Sequence, residues 1–204
     1  MITIINYGIG NISAFVNVFK RLNIQHNVAS NASHLNNPQK IILPGVGSFD
    51  YAMSKLNSSG LKEKLDELVL VKKTPVLGIC VGMQIMCKNS QEGKLEGLGW
   101  FDAHVKKFDK NTISHRTKLP HMGWNNISRT SENRIFKGLD DEAIFYFLHS
   151  YYVQCNYKED EISTTNYGSN FSSMINKDNI FGIQFHPEKS HSNGEKLLSN
   201  FANL

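Results

Sequence analysis

The feature that most restricts this chain is the pentapeptide Gly78-Ile79-Cys80-Val81-Gly82, which directly follows the apolar run Thr74-Pro75-Val76-Leu77. An apolar run broken by two glycines around one reactive side chain is the pattern of a strand that turns sharply into a helix. Such a turn lifts one residue out of the fold, and its neighbours must lack a Cβ to let the backbone bend so tightly. Serine hydrolases place a Gly-flanked serine there. A cysteine in the same position sits at a helix N-terminus, where partial positive charge favours thiolate. A small buried cysteine beside two glycines would also satisfy the pattern, since free cysteines are commonly buried. The rest of the chain has to decide between these.

Strand and helix patterns alternate through the first half. Ile2–Asn6 is a short apolar strand ending in the loop Tyr7-Gly8-Ile9-Gly10-Asn11, and Phe15, Val16, Val18, Phe19 and Leu22 mark one face of a helix over Ile12–Leu22. A weaker strand over Asn27–Ser30, a buried strand over Lys40–Leu43, a helix within Gly60–Val71 and a strand over Val76–Ile79 follow. Beyond Gly99 the runs Trp100–Phe108, Ala143–Val153, Glu161–Thr165, Phe171–Ile175 and Ile180–Phe185 read as strands between polar turns, and a helix over Gly194–Leu204 closes the chain. Asp109–Lys118 reads as a polar loop. The pattern predicts an α/β fold: one domain over 1–204, with a mainly parallel central sheet flanked by helices and antiparallel hairpins added in the C-terminal half.

Bulk properties narrow the function. At 204 residues the chain can build one sizeable core, and a net charge of +4, dispersed in short pairs such as Lys72-Lys73, gives no nucleic-acid footprint. No apolar stretch reaches the ~20 residues needed to cross a bilayer, and the N-terminus reads as a first strand rather than a leader. Three widely spaced cysteines point to reduced thiols and a cytoplasmic setting. The eight histidines and three cysteines show no metal-ligand spacing. Gly8-Ile9-Gly10 lacks the third glycine and the acidic residue of a dinucleotide site, so neither metal nor cofactor is expected.

A nucleophilic cysteine needs a base, and the base needs an orienting group. Phe185-His186-Pro187-Glu188 delivers a histidine at the end of an apolar strand, and proline holds His186 extended while placing Glu188 near the ring nitrogen turned away from sulfur. Taken alone this is a strand-ending turn with a carboxylate. Beside a Gly-x-Cys-x-Gly elbow it becomes the second half of a catalytic set. Oxyanion donors are then expected from the amide of Val81 and from Pro44-Gly45-Val46-Gly47, where glycines on both sides of Val46 allow a peptide flip that turns an amide of Val46 or Gly47 inward. One such donor contributes about 2.7–4 kcal/mol to a transition state.

With these residues the chain resembles the class I (triad) glutamine amidotransferases. The likeness runs nearly end to end, through Tyr7-Gly8-Ile9-Gly10-Asn11, Pro44-Gly45-Val46-Gly47, Gly78-Ile79-Cys80-Val81-Gly82-Met83-Gln84, His149-Ser150-Tyr151 and Gln184-Phe185-His186-Pro187-Glu188. The narrower blocks Pro120-His121-Met122-Gly123-Trp124-Asn125 and Pro187-Glu188-Lys189-Ser190 point to the branch that supplies ammonia for imidazole glycerol phosphate synthesis. The resemblance implies a glutaminase with Cys80 as nucleophile, His186 as acid and base, and Glu188 orienting the imidazole. It implies that Gly47, Gln84, Ser150 and Tyr151 hold glutamine. It also implies that Asn11, Trp124 and Lys189 dock a (β/α)8-barrel cyclase in a heterodimer that receives the ammonia. Subunits of this kind also serve sugar-modifying amidotransferases of surface polysaccharides, which the same motifs fit equally. A catalytically inactive docking protein and a free peptidase or γ-glutamyl hydrolase are the remaining alternatives. His121 reads either as a site residue or as a histidine bonded in a turn, His149 as structural, and Cys87 and Cys155 as packing cysteines.

Overall fold

Hydrophobic segments that can hide both faces only inside a sheet fill the middle of the molecule. The computed structural model describes residues 1–204. Strands β1 (Ile2–Ile5), β2 (His26–Ala29), β3 (Lys40–Gly45) and β4 (Val76–Cys80) are joined by helices α1 (Ile12–Arg21), α2 (Phe49–Ser58) and α3 (Lys62–Asp66), and the short α4 (Val81–Gln84) follows β4 directly. The second half supplies β5 (Asn89–Ser90), β6 (Ala103–Lys107), β7 (His121–Asn126), β8 (Ser128–Arg129), β9 (Ile144–His149), β10 (Tyr151–Cys155), β11 (Glu161–Asn166), β12 (Asn170–Lys177), β13 (Ile180–Ile183) and a closing helix α5 (His191–Ala202).

The main sheet runs β2-β1-β3-β4-β13-β12-β10-β6-β5, with β11 on β12 and β8 on β11. The five strands from β2 to β13 are mutually parallel, and β13 turns back antiparallel into β12. Ile41, Ile42, Leu43, Val76, Leu77, Ile79 and Ile183 are almost wholly buried, as a parallel strand covered on both faces requires. Adjacent β3, β4 and β13 point their carboxyl ends the same way, so Pro44–Gly47, Cys80 and His186 emerge at one edge, where open α/β sheets bind ligands. No helix is long and apolar enough to cross a membrane.

The expected α/β class is realised, with several local differences. The run Ala143–Val153 does not form one strand: β9 ends at His149, β10 begins at Tyr151, and Ser150 lies at the bend between them. The bend sends β9 to pair with β7 in a separate two-stranded sheet, while β10 joins the main one. The single helix expected within Gly60–Val71 is α3 followed by a π-helical turn over Glu67–Val71. Asn179 Nδ2 donates to the carbonyls of Val69 and Thr74, closing the wide turn, and Val71 is left exposed. The helix after Cys80 is short, so Cys87 lies beyond its end. Helix α2, not among the expected elements, buries Phe49, Ala52, Met53 and Leu56 at i, i+3, i+4 and i+7. It is started by Ser48, whose Oγ accepts the Tyr51 amide at 3.4 Å. The closing helix begins three residues earlier than expected, at His191.

The elbow depends on close backbone approach. A Cβ built on Gly82 would lie 2.0 Å from the Leu43 carbonyl oxygen, and one on Gly45 would lie 2.2 Å from the Gly82 amide nitrogen. Both contacts are with main chain, which has nowhere to retreat within a paired sheet. Gly82→Ala is expected to lower stability by about 3 kcal/mol or to prevent folding, as overpacking against fixed neighbours does. Urea unfolding followed by circular dichroism reads the loss, and a wild-type midpoint would show that the elbow can relax.

Candidate active site

Cys80 is at once the last residue of β4 and the residue before α4, with φ +55° and ψ −113°. Left-handed backbone at a non-glycine residue costs on the order of 1–3 kcal/mol and persists only where the surroundings enforce it. Here the sheet pairing of β4 and the Gly45–Gly82 contact enforce it. The side chain is nearly covered, yet Sγ faces a cavity of about 270 Å³. Gln184 Nε2 donates toward Sγ at 3.7 Å.

His186 follows β13 with φ −101° and ψ 95°, the extended geometry that Pro187 demands of its predecessor. Its amide donates to the Tyr146 carbonyl at 2.8 Å, and its own carbonyl accepts from Ser190 Oγ at 2.6 Å. The backbone is therefore tied on both sides. His186 Nδ1 and Glu188 Oε1 are 2.8 Å apart, and both side chains are almost completely buried. Glu188 Oε2 has no hydrogen-bond donor in the protein, so the imidazole is the group that compensates the buried carboxylate. Burial of the ring opposes its charge, but the neighbouring Cys80 sulfur and the Glu188 carboxylate outweigh burial and lift His186 to about 10. The arrangement is that of a cysteine beside a charged imidazole backed by a buried carboxylate.

Val46, Gly47 and Val81 line the same cavity as Cys80 and His186, beside the positions an oxyanion would take. The flexible element is shorter than the sequence indicates. Gly45 is there for its packing on Gly82, and Tyr7 Oη donates to the Pro44 carbonyl at 2.8 Å, so the loop is anchored up to Gly45. Only Val46, largely exposed, and Gly47, at φ +92°, remain free to turn. Gln84, Ser150 and Tyr151 also line the cavity. Gln84 is buried and donates through Nε2 to the Tyr151 carbonyl at 3.1 Å and to Gln184 Oε1 at 3.0 Å.

Lys189 stands at the same cavity with its ammonium 5.5 Å from the Tyr146 ring centroid, so it belongs to the mouth of the site as well as to the outer face. Trp124 does not line the cavity. It projects from β7, 45% exposed, opposite Tyr146 and stacked on His191 at 5.1 Å between ring centroids. Asn11 is exposed and caps α1 through its Oδ1, next to Gly10, which packs against Pro44. His121 is in a strand rather than a turn. His121 and His149 are cross-strand partners on the buried face of the β7–β9 ribbon. Burial lowers them to about 4 and about 3 respectively, helped by the charge of neighbouring histidines. Cys87 is fully buried, and burial pushes its thiol well up. Burial likewise holds Cys155 at about 12. Neither thiol suits nucleophilic attack.

Two polar residues escape sequence reasoning, Glu92 on the cavity wall and Gln184 buried behind Cys80. Glu92 lies on the loop after β5 and is held by the Phe49 amide, which donates to Oε2 at 2.9 Å. Nothing in Ser90-Gln91-Glu92 separates it from a surface carboxylate. Gln184 left one signal, a carboxamide in the otherwise apolar run Phe181–Phe185. No group of three His, Cys, Asp or Glu side chains gathers as a metal site.

Fold and site together define an α/β domain with a cysteine elbow and a buried His–Glu pair at the carboxyl edge of its parallel strands. The family model "Glutamine amidotransferase class-I" matches residues 3–203, and the chain belongs to that family. It is 48% identical over 204 residues to the imidazole glycerol phosphate synthase subunit HisH of Leptospira borgpetersenii, covering all of both chains. It is also 48% identical to that of Bdellovibrio bacteriovorus over 204 residues and 41% identical to HisH 2 of Pseudomonas aeruginosa over the same length, again covering all of each chain. Among solved structures, a glutamine amidotransferase superposes with TM-score 0.76 at 16% identity, covering 100% of this chain and 99% of that one. A putative GMP synthase protein of Thermoplasma acidophilum gives TM-score 0.72 at 22% identity, covering 99% and 92%. These two likenesses speak for the fold.

The charge state of His186 can be measured directly. Its folded value lies above the 6.5 of a free ring, so the ring is expected to stay protonated through neutral pH and to release its proton near 10. The stability it contributes is full below pH ~6.5 and is lost as pH rises toward 10. Glu188→Gln removes one of the raising causes and is expected to move the titration down. Nitrogen-15 spectra of the ring across pH 6–11 check both statements, and a wild-type ring titrating near 6.5 would contradict them.

Proposed function

We propose that this chain is the glutaminase subunit of an imidazole glycerol phosphate synthase, with residues 1–204 forming one amidotransferase domain that acts in the cytoplasm. The observation that carries the chemistry is that Cys80 and His186 share one small cavity, with Glu188 buried behind the imidazole and bonded to it. The cavity volume of about 270 Å³ suits an amino acid rather than a nucleotide. The full-length likeness to the HisH subunits supports the pathway.

Glutamine enters with its γ-carboxamide at Sγ. Cys80 thiolate attacks the amide carbon, and the oxygen takes the charge beside the amides of Val81 and of the Val46–Gly47 segment. The protonated ring of His186 gives its proton to the departing nitrogen, which leaves as ammonia, and a glutamyl thioester remains on Sγ. The ring, now neutral, takes a proton from water, which attacks the thioester and releases glutamate. Glu188 holds Nδ1 throughout, so Nε2 always faces the reacting atoms. Glu92 offers a carboxylate to the α-ammonium of the substrate, and Gln84, Ser150 and Tyr151 complete the amino-acid end. The intact triad argues against an inactive docking protein.

The ammonia leaves toward a partner. Along the β7–β9 ribbon, Met122 pairs with Leu148, Trp124 with Tyr146 and Asn126 with Ile144. The strand period puts all of them on one outward face, where Met122, Trp124, Ile144 and Leu148 are exposed. Such an apolar face marks a protein contact. Leu148 also lines the glutamine cavity, so whatever covers the ribbon closes the site and receives what is released there. A (β/α)8-barrel cyclase in a heterodimer is the partner we assign, docking on this face with Asn11, Trp124 and Lys189 at its rim.

Glutamate release with and without the cyclase and its ligand tests the assignment. Cys80→Ala is expected to lower glutamine-dependent synthesis by at least ~1,000-fold, the scale of removing a catalytic nucleophile. Ammonia-dependent synthesis by the same complex survives. Retained glutaminase activity would exclude Cys80 as nucleophile. Trp124→Ala is expected to weaken the complex by ~30-fold or more, as loss of an aromatic interface anchor does. Titration calorimetry on a variant with wild-type circular dichroism checks this, and unchanged affinity would move the docking face elsewhere.

A further inference from the structure

A single line of hydrogen bonds runs under the ribbon into the glutamine cavity. Asn125 Nδ2 lies 3.2 Å from His121 Nε2, His121 Nδ1 lies 3.0 Å from His149 Nε2, and His149 Nδ1 lies 2.8 Å from the Tyr151 carbonyl oxygen. A carbonyl only accepts, so His149 carries its proton on Nδ1. In the neutral ring Nε2 is then an acceptor, which puts the His121 proton on Nδ1 and makes His121 Nε2 the acceptor from Asn125. Every link has one donor and one acceptor, and all donate toward Tyr151. A second proton on either ring would set two donors face to face and break the line. The surroundings agree: the titratable groups acting on the pair are His115, Tyr167 and His186, with no carboxylate among them to favour a charged ring.

The consequence lies at the inner end. The Tyr151 carbonyl receives His149 and Gln84 together, which occupies both its lone pairs. Gln84 Nε2 in turn uses one hydrogen on that carbonyl and the other on Gln184 Oε1, and Gln184 Nε2 points at the Cys80 sulfur. Gln84 has one polar atom left, its Oε1. We propose that His121 and His149 are positioning residues for glutamine: two neutral rings that fix the Tyr151 carbonyl and thereby hold Gln84 with its oxygen, an acceptor, toward the N–H groups of the substrate. This rests on the glutaminase reading above. The role is one of binding, so it is separable from the triad.

His121→Phe keeps the stacking that His121 makes on Phe147 and Tyr167 and deletes both nitrogens, while His121→Asn restores a donor near the position of Nδ1. In the complex with the cyclase, His121→Phe is expected to raise KM for glutamine about tenfold with kcat within about threefold, the scale of one buried hydrogen bond left unmade, and His121→Asn to recover most of it. A folded His121→Phe with wild-type KM, or a rise that His121→Asn fails to reverse, would overturn the proposal. Nitrogen-15 spectra of the wild-type chain are a measurement independent of activity. Both rings are expected as neutral Nδ1–H tautomers from pH 5 to 8, and a ring titrating in that window or an Nε2–H form would overturn the line as drawn. Absence of glutamate release from the wild-type complex would defeat the functional reading, and the spectra would still decide the relay.

Discussion

The contact on which the rest of the site depends is between main chains. Gly45 at the end of β3 and Gly82 in the first turn of α4 press together with no room for a Cβ on either side, and Leu43 O closes the gap from below. That approach lets the chain leave β4 and enter a helix within one residue, which forces Cys80 to φ +55°. It also pins the base of the Pro44–Gly47 loop beside the nucleophile. Cys80 and the Pro44–Gly47 loop, the nucleophile and oxyanion loop of the proposed mechanism, are therefore placed by one packing event, and the third strand end, at His186, is placed by the pairing of β13 on β4. Freedom is left only at Val46 and Gly47, beyond the contact.

The histidines of the site divide by environment. His186 faces the Cys80 sulfur and a buried carboxylate that has no other donor, so its charge is favoured despite burial. His149 and His121 face only a carbonyl, a carboxamide, aromatic rings and other histidines, and the positive charge on His186 adds to the cost of protonating His149. The chemistry requires both states within one site: a charged ring that can give a proton to a leaving amine, and neutral rings that keep a fixed direction of hydrogen bonding. The sequence differs at the decisive point, since His186 is followed two residues on by a carboxylate, while His149 is followed by Ser150 and Tyr151, where a backbone carbonyl takes the same ring nitrogen.

Local signals carried the parts of the site that are built locally. The elbow at Cys80, the His186-Pro187-Glu188 turn and the apolar runs of the parallel strands each depend on residues within a few positions of one another, and all of them are legible in the sequence. Glu92 and Gln184 were not, because their roles come from where the sheet carries them. Glu92 reaches the cavity from a loop clamped on α2, and Gln184 becomes a partner of Cys80 only because β13 lies beside β4. The division of Ala143–Val153 at Ser150 was hidden for a related reason. Residues on both sides of the bend favour strands, and only the pairing of β9 with β7 instead of the main sheet reveals it.

That second, two-stranded sheet links the small cavity to the exposed apolar face on which the proposed partner would sit. A ribbon this short gains little from its own hydrogen bonds, so its stability comes from the buried face, where Phe145, Phe147 and the histidine pair pack against Phe185 and Phe171. The outward face is then free to be apolar without weakening the fold. Because strand positions alternate, the residues next to His149 and His121 are Leu148 and Met122, so the buried histidines beside the cavity and the exposed apolar face proposed for docking are successive residues of the same strands. A partner seated on Met122, Trp124 and Leu148 would lie at the edge of the cavity that holds Cys80. In the proposed complex the partner would cover the cavity mouth at Leu148, giving ammonia a direction to leave while the thioester stays open to the water that hydrolyses it, so the seat of the partner is part of the active site.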